Sequence, residues 1–86
     1  MVTVYFTVFK VPENEKIKEK LFRILDEISQ RDSSFKWGLN KKRTHISIIS
    51  RDEKQAYARG YWIKQRANLP EEYRRKLVYK VYKIEI

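Results

Sequence analysis

With 86 residues the chain has material for one compact domain and not for two. Hydrophobic residues make up 42% and charged residues 36%. No apolar run approaches the ~20 residues of a spanning helix, so one soluble globule is expected rather than a disordered or membrane-embedded chain. The absence of cysteine excludes disulfides, thiolate zinc sites, iron–sulfur clusters and thiol nucleophiles. A single histidine leaves histidine metal centres and Ser/His relays short of parts, so no cofactor or metal is expected. The first residues read as a strand, without a basic leader or cleavage site, which predicts a cytoplasmic location.

The 20 Lys and Arg against 11 Asp and Glu give a net charge of +9. Residues 1–33 hold six basic and six acidic side chains, so the whole excess lies in residues 34–86. Segregated charge of this sign predicts a positive surface and an anionic partner, where an even spread would mean only solubility.

Val2, Val4, Phe6 and Val8 alternate with Thr3, Tyr5, Thr7 and Phe9, a pattern that predicts a first strand able to bury either face. Pro12 ends it. Glu13 and Glu15 suit a helix N-terminus, and Ile17, Leu21, Ile24, Leu25 and Ile28 form one apolar stripe ending near Arg31 to Ser34. Phe35-Lys-Trp-Gly-Leu39, a turn at Asn40-Lys41-Lys42 and Arg43 to Ile49 read as a hairpin, with Gly38 as a candidate bulge. Ser50 and Glu53 have capping-box spacing before a second helix whose inward edge is Ala56, Gly60, Ile63 and Ala67. Gly60 costs ~1 kcal/mol of helix propensity, which a close backbone neighbour would explain. Asn68, Pro70 and Glu71 predict a short extra turn, and Leu77 to Ile86 the last strand.

The order β-α-β-β-α-β predicts an α+β, ferredoxin-like sandwich: a four-stranded antiparallel sheet with two helices on one face and a short helical turn before the last strand. Without the Phe35 arm the sheet would have three strands. If the aliphatic set of the first strand faces the helices, Tyr5 and Phe9 lie on the open face beside His45, with Thr44, Ile46 and Ile48 inward. Tyr5, Phe9 and His45 are then candidate stacking residues for unpaired bases. For the last strand, Leu77, Tyr79 and Val81 compete with Val78, Tyr82, Ile84 and Ile86 as the inward set.

On the second helix Arg59, Trp62 and Arg66 share a flank, with Tyr61 beside it. Trp62 reads either as a further stacking residue or as a lid on the core edge. The hairpin cations Lys41, Lys42 and Arg43, the cluster Arg74, Arg75 and Lys76, and Arg59 with Arg66 are the candidate phosphate contacts.

Enzyme readings lack residues. His45-Ile46-Ser47 is similar to half of the signature of two-histidine phosphoesterases, a chemistry that needs a second histidine. After the first strand, Lys10-Val11-Pro12-Glu13-Asn14 lacks the glycines of the acylphosphatase phosphate loop and the metal-binding Asp of Cas2-like nucleases. Asp52 with Glu53 and Glu71 with Glu72 sit at helix starts, where capping explains them. No catalytic residue is assigned.

The order of elements and an open, aromatic-bearing sheet resemble the RNA-recognition-motif family in architecture. Val4-Tyr5-Phe6 is similar to the start of that family's first-strand motif, and Lys42-Arg43 to the basic start of its third-strand motif, whose glycine and aromatics are replaced here by Thr44-His45-Ile46. Richness in Lys, Arg, Glu, Tyr and Ile without cysteine looks like the composition of an archaeal hyperthermophile or one of its viruses. The sequence therefore predicts a small basic, non-enzymatic protein, monomer or homodimer, that binds DNA or RNA. The alternative is an interaction module docking on an acidic protein partner or on itself. No membrane association is expected.

Overall fold

The computed structural model describes residues 2–86. Seven elements follow in order: β1 Thr3–Lys10, α1 Glu15–Arg31, β2 Lys36–Leu39, β3 His45–Ser50, α2 Glu53–Arg66, α3 Glu71–Lys76 and β4 Tyr79–Glu85. The four strands form one antiparallel sheet in the order β2-β3-β1-β4, the arrangement expected of a ferredoxin-like βαββαβ chain. Both halves of the hairpin are strands, so the three-stranded alternative does not hold. Gly38 pairs regularly with Ser47 and makes no bulge.

The caps add one residue to the sequence reading and correct two. Asn14 caps α1, its side-chain oxygen accepting from the N–H groups of Lys16 and Ile17. Asp52, not Ser50, caps α2 by accepting from the Gln55 N–H at 2.7 Å. Ser50 is the buried last residue of β3, two residues ahead of the cap of a helix that begins at Glu53, and its hydroxyl accepts from Arg59 instead. Asn68 has a positive φ of 46° instead of capping α3, which starts after Pro70 without a side-chain cap. The last strand starts at Tyr79, because Leu77 closes α3.

The core lies between the sheet and the helices. Leu21, Leu25 and Ile28 of α1 and Ala56, Gly60 and Ile63 of α2 are buried there, as the two stripes predict. The first strand is the reverse of its expected orientation. Phe9 is only 1% exposed and Thr7 is fully buried, so Thr3, Tyr5, Thr7 and Phe9 face the helices. Their partners on β3 share that side: Thr7 pairs with Ile48 and Phe9 with Ile46, both core residues. Two contacts explain the choice. The inward residues of α2 are small, so the strands must supply the bulk, and Tyr79 lies against Gly60 while packing on Phe9 at 5.6 Å between ring centroids. The Thr7 hydroxyl is satisfied by donating to the Ala56 carbonyl at 2.7 Å. Of the two sets weighed for the last segment, the one with Leu77, Tyr79 and Val81 is inward: Leu77 is buried at the end of α3, and on β4 Tyr79 and Val81 pair with Phe9 and Thr7.

Candidate nucleic-acid interface

Strand alternation and register fix what the uncovered face of the sheet carries. Val4, Phe6 and Val8 of β1 lie between Ile49 and Ser47 of β3 on one side and Ile84, Tyr82 and Lys80 of β4 on the other. Phe6 is central, opposite Ile49 in one direction and Tyr82 in the other, and Tyr82 is 49% exposed. Lys36 of β2, Lys10 of β1 and His45 of β3 complete the face, with Lys10 and His45 directly opposed. Above Gly38, where no side chain projects, a shallow depression of about 270 Å³ is bordered by Phe6, Lys36, Asn40, Ser47 and Ile49. No strand residue on this face is acidic, since Glu85, opposite Thr3, belongs to the other side. The face is therefore apolar and aromatic at its centre and cationic at its margin.

The hairpin turn stands at the same end of the sheet as Lys10, because the Val11 N–H donates to the Thr44 carbonyl. Asn40 braces the turn: its side-chain oxygen accepts from the N–H groups of Thr44 at 2.8 Å and His45 at 3.1 Å, and its amide donates to the Thr44 hydroxyl. Arg43 takes a positive φ of 58°, which reverses the chain. Lys41, Lys42 and Arg43 are all exposed on this base, and among the described residues none forms an ion pair. Lys76, with Lys10, borders a cavity at that end lined also by Asn14 and Tyr73, but Glu13 and Glu72 line it too, so this end of α3 adds no net positive charge to the margin.

The remaining expected contacts are placed elsewhere. Arg59 is half-buried and donates to the Ile49 carbonyl at 2.8 Å and the Ser50 hydroxyl at 3.2 Å, with its guanidinium 5.4 Å from the Phe35 ring centroid. It ties α2 to the sheet. Arg66 lies 5.4 Å from the Trp62 ring centroid, on the groove between α1 and α2, away from the open face. Arg74 donates to the Gln65 side-chain carbonyl, and Arg75 pairs with Glu71 at 2.9 Å on the exposed side of α3. The eight cations thus do not converge on one surface. Of the stacking candidates, Phe9 is in the core, Tyr5 faces the helices opposite Ser50 and Trp62 is on the helical side. His45 alone is exposed on the open face.

Phe6, Tyr82, Lys10, Lys36 and Lys80 were missed as site residues because they follow from the orientation of β1. The smallness of the α2 stripe was the signal that could have set it. Among the described residues no cluster of three His, Cys, Asp or Glu side chains gathers to hold a metal, and no helix is long and apolar enough to cross a membrane. No family model matches the chain, and it has no significant match among curated proteins or among solved structures.

Proposed function

We propose that the chain is a small non-enzymatic nucleic-acid-binding protein that receives an unpaired stretch of DNA or RNA across its open sheet face. One observation carries the reading: an apolar centre bearing Phe6 and Tyr82 is edged by Lys10, Lys36 and Lys80, with the His45 ring beside Lys10 and no acidic strand residue on the face. A single strand offers the complementary chemistry, flat rings to lie on aromatics and phosphates to meet lysines. The depression above Gly38 gives one base a seat beside Phe6, and the braced Lys41–Arg43 turn extends the phosphate track beyond the sheet.

The test is a binding panel of single- and double-stranded DNA and RNA at two salt concentrations. Single strands bind more tightly than duplexes, and log affinity falls linearly with log salt. Phe6→Ala and Tyr82→Ala each weaken single-strand binding by ~1–3 kcal/mol while duplex binding changes little. Gly38→Val, whose added side chain meets open space in the protein, fills the depression and weakens binding without unfolding the chain. Equal losses for single strands and duplexes, or no change with Gly38→Val, overturn the platform.

The aliphatic share of the same face, with Ile49 and Ile84 both exposed, favours a second reading as an interaction module for an acidic protein with an apolar patch. A purified partner that stays bound after nuclease treatment and is released by Phe6→Ala supports that reading instead.

A further inference from the structure

β4 is an edge of the sheet, paired on one side only, with β1. Val2 and Ile86 exchange both backbone hydrogen bonds, at 2.9 and 2.8 Å. Antiparallel alternation then turns the backbone groups of Ile84, Tyr82 and Lys80 toward β1 and those of Lys83 and Glu85 outward, to the free edge. No proline or bulge interrupts this edge, and its outer half, Tyr82 to Glu85, is exposed on both faces. The other edge, β2, has only four residues. Lysines at an edge ordinarily repel added strands, yet here Glu85 lies two residues beyond Lys83 on the same side, at 3.8 Å.

We propose that the β4 edge pairs with the β4 edge of a second copy of this chain, antiparallel about a two-fold axis at Ile84, to form a continuous eight-stranded sheet. The register follows from the side chains. About Ile84, Lys83 of each copy faces Glu85 of the other, Tyr82 faces Ile86, and Ile84 meets its own counterpart. The outward N–H and C=O groups of Lys83 and Glu85 then exchange backbone hydrogen bonds, as an antiparallel ladder requires. With the axis one residue earlier, Lys83 would oppose Lys83. With the axis at Tyr82, Glu85 would oppose Tyr79, and Lys83 would oppose Val81, leaving both charges without an opposite partner. Only the Ile84 axis satisfies charges and apolar groups together. Such a dimer joins two open faces side by side and leaves Phe6 uncovered; Tyr82 belongs to both the seam and the platform, so Phe6 is the position that separates pairing from strand binding.

Sedimentation equilibrium of nuclease-treated protein, without added nucleic acid, tests the proposal. The unmodified chain shows a reversible monomer–dimer equilibrium. Lys83→Glu and Glu85→Lys each raise the dissociation constant about tenfold or more, because both symmetric pairs become like-charged. The double swap, Lys83→Glu with Glu85→Lys, restores dimerisation, a recovery that a folding defect in the single variants would not give. Phe6→Ala leaves the dimer intact, which separates this result from the nucleic-acid reading. A chain that stays monomeric at all concentrations, or single variants that dimerise as the parent does, or a double swap that fails to recover, overturns the edge pairing.

Discussion

Tyr79 lies across the backbone of Gly60 so closely that a Cβ at position 60 would fall 2.6 Å from its ring. Phe9 and Tyr57 flank the ring at 5.6 and 6.5 Å between centroids, and because the contact reaches its Cγ at 2.8 Å, turning the ring about its own axis does not relieve it. Gly60→Ala would gain ~0.5–1 kcal/mol of helix propensity but meets an overpacking cost of ~1–3 kcal/mol. The expected outcome is a net loss of stability, read as a lower urea midpoint. A rise in that midpoint would mean that Tyr79 can move aside.

The two phenylalanines of β1 separate core from platform. Phe9→Ala, which empties a buried site, should cost ~3–5 kcal/mol and bring the protein close to unfolding. Phe6→Ala, on the uncovered face, should cost much less while weakening single-strand binding. Thermal melts of both variants check this, and similar melting temperatures would put the β1 orientation in error.

Arg59 and the hairpin cations should differ in what they support. Arg59→Ala removes donors to Ile49 and Ser50 and should destabilise by about 1–2 kcal/mol while leaving the salt dependence of binding unchanged. Replacing Lys41, Lys42 and Arg43 with Ala should leave stability nearly unchanged and reduce the salt slope by about two on single strands if all three meet phosphates. Denaturant titration and a salt series on the same two proteins distinguish the roles.

Asp32 predicts one acid-sensitive contact. The Ser34 hydroxyl donates to its carboxylate at 2.6 Å and the Ser34 N–H at 2.9 Å, and with the Arg59 charge they hold its pKa below the ordinary 3.8. The folded chain therefore takes up this proton less readily than the unfolded chain. The contribution is complete above 3.8 and disappears as pH falls through the lower folded value. Asp32→Asn should be less stable than the parent at neutral pH, and the gap should close in acid. A gap that stays constant with pH would show that Asp32 acts through something other than its charge.

The element order was readable because each element has a distinct period: alternation in β1 and β3, the Ile17 to Ile28 stripe in α1, and Ala56 to Ala67 in α2. The cost assigned to Gly60 also led correctly to a close neighbour, which is Tyr79. The open face was misread because both alternating sets of β1 are apolar enough to be buried, and hydropathy alone ranks Val4 and Val8 above Thr7. What decides is shape across the interface, where Ala56 and Gly60 leave space that Phe9 and Tyr79 fill. The scattering of the arginines was not readable either, because Arg59 and Lys41 are equal as charges and differ only in whether a carbonyl is within reach.

A one-residue slide of β1 past β3 would exchange one greasy set for another, so hydrophobic burial alone discriminates weakly between the two alignments. The hydrogen bond from Thr7 to Ala56 therefore acts as a registration pin: it is lost in the shifted alignment and cannot be replaced by the valines that would take its place. Thr7→Val should for this reason broaden the native ensemble as well as weaken it, visible as doubled amide resonances along β1 and β4.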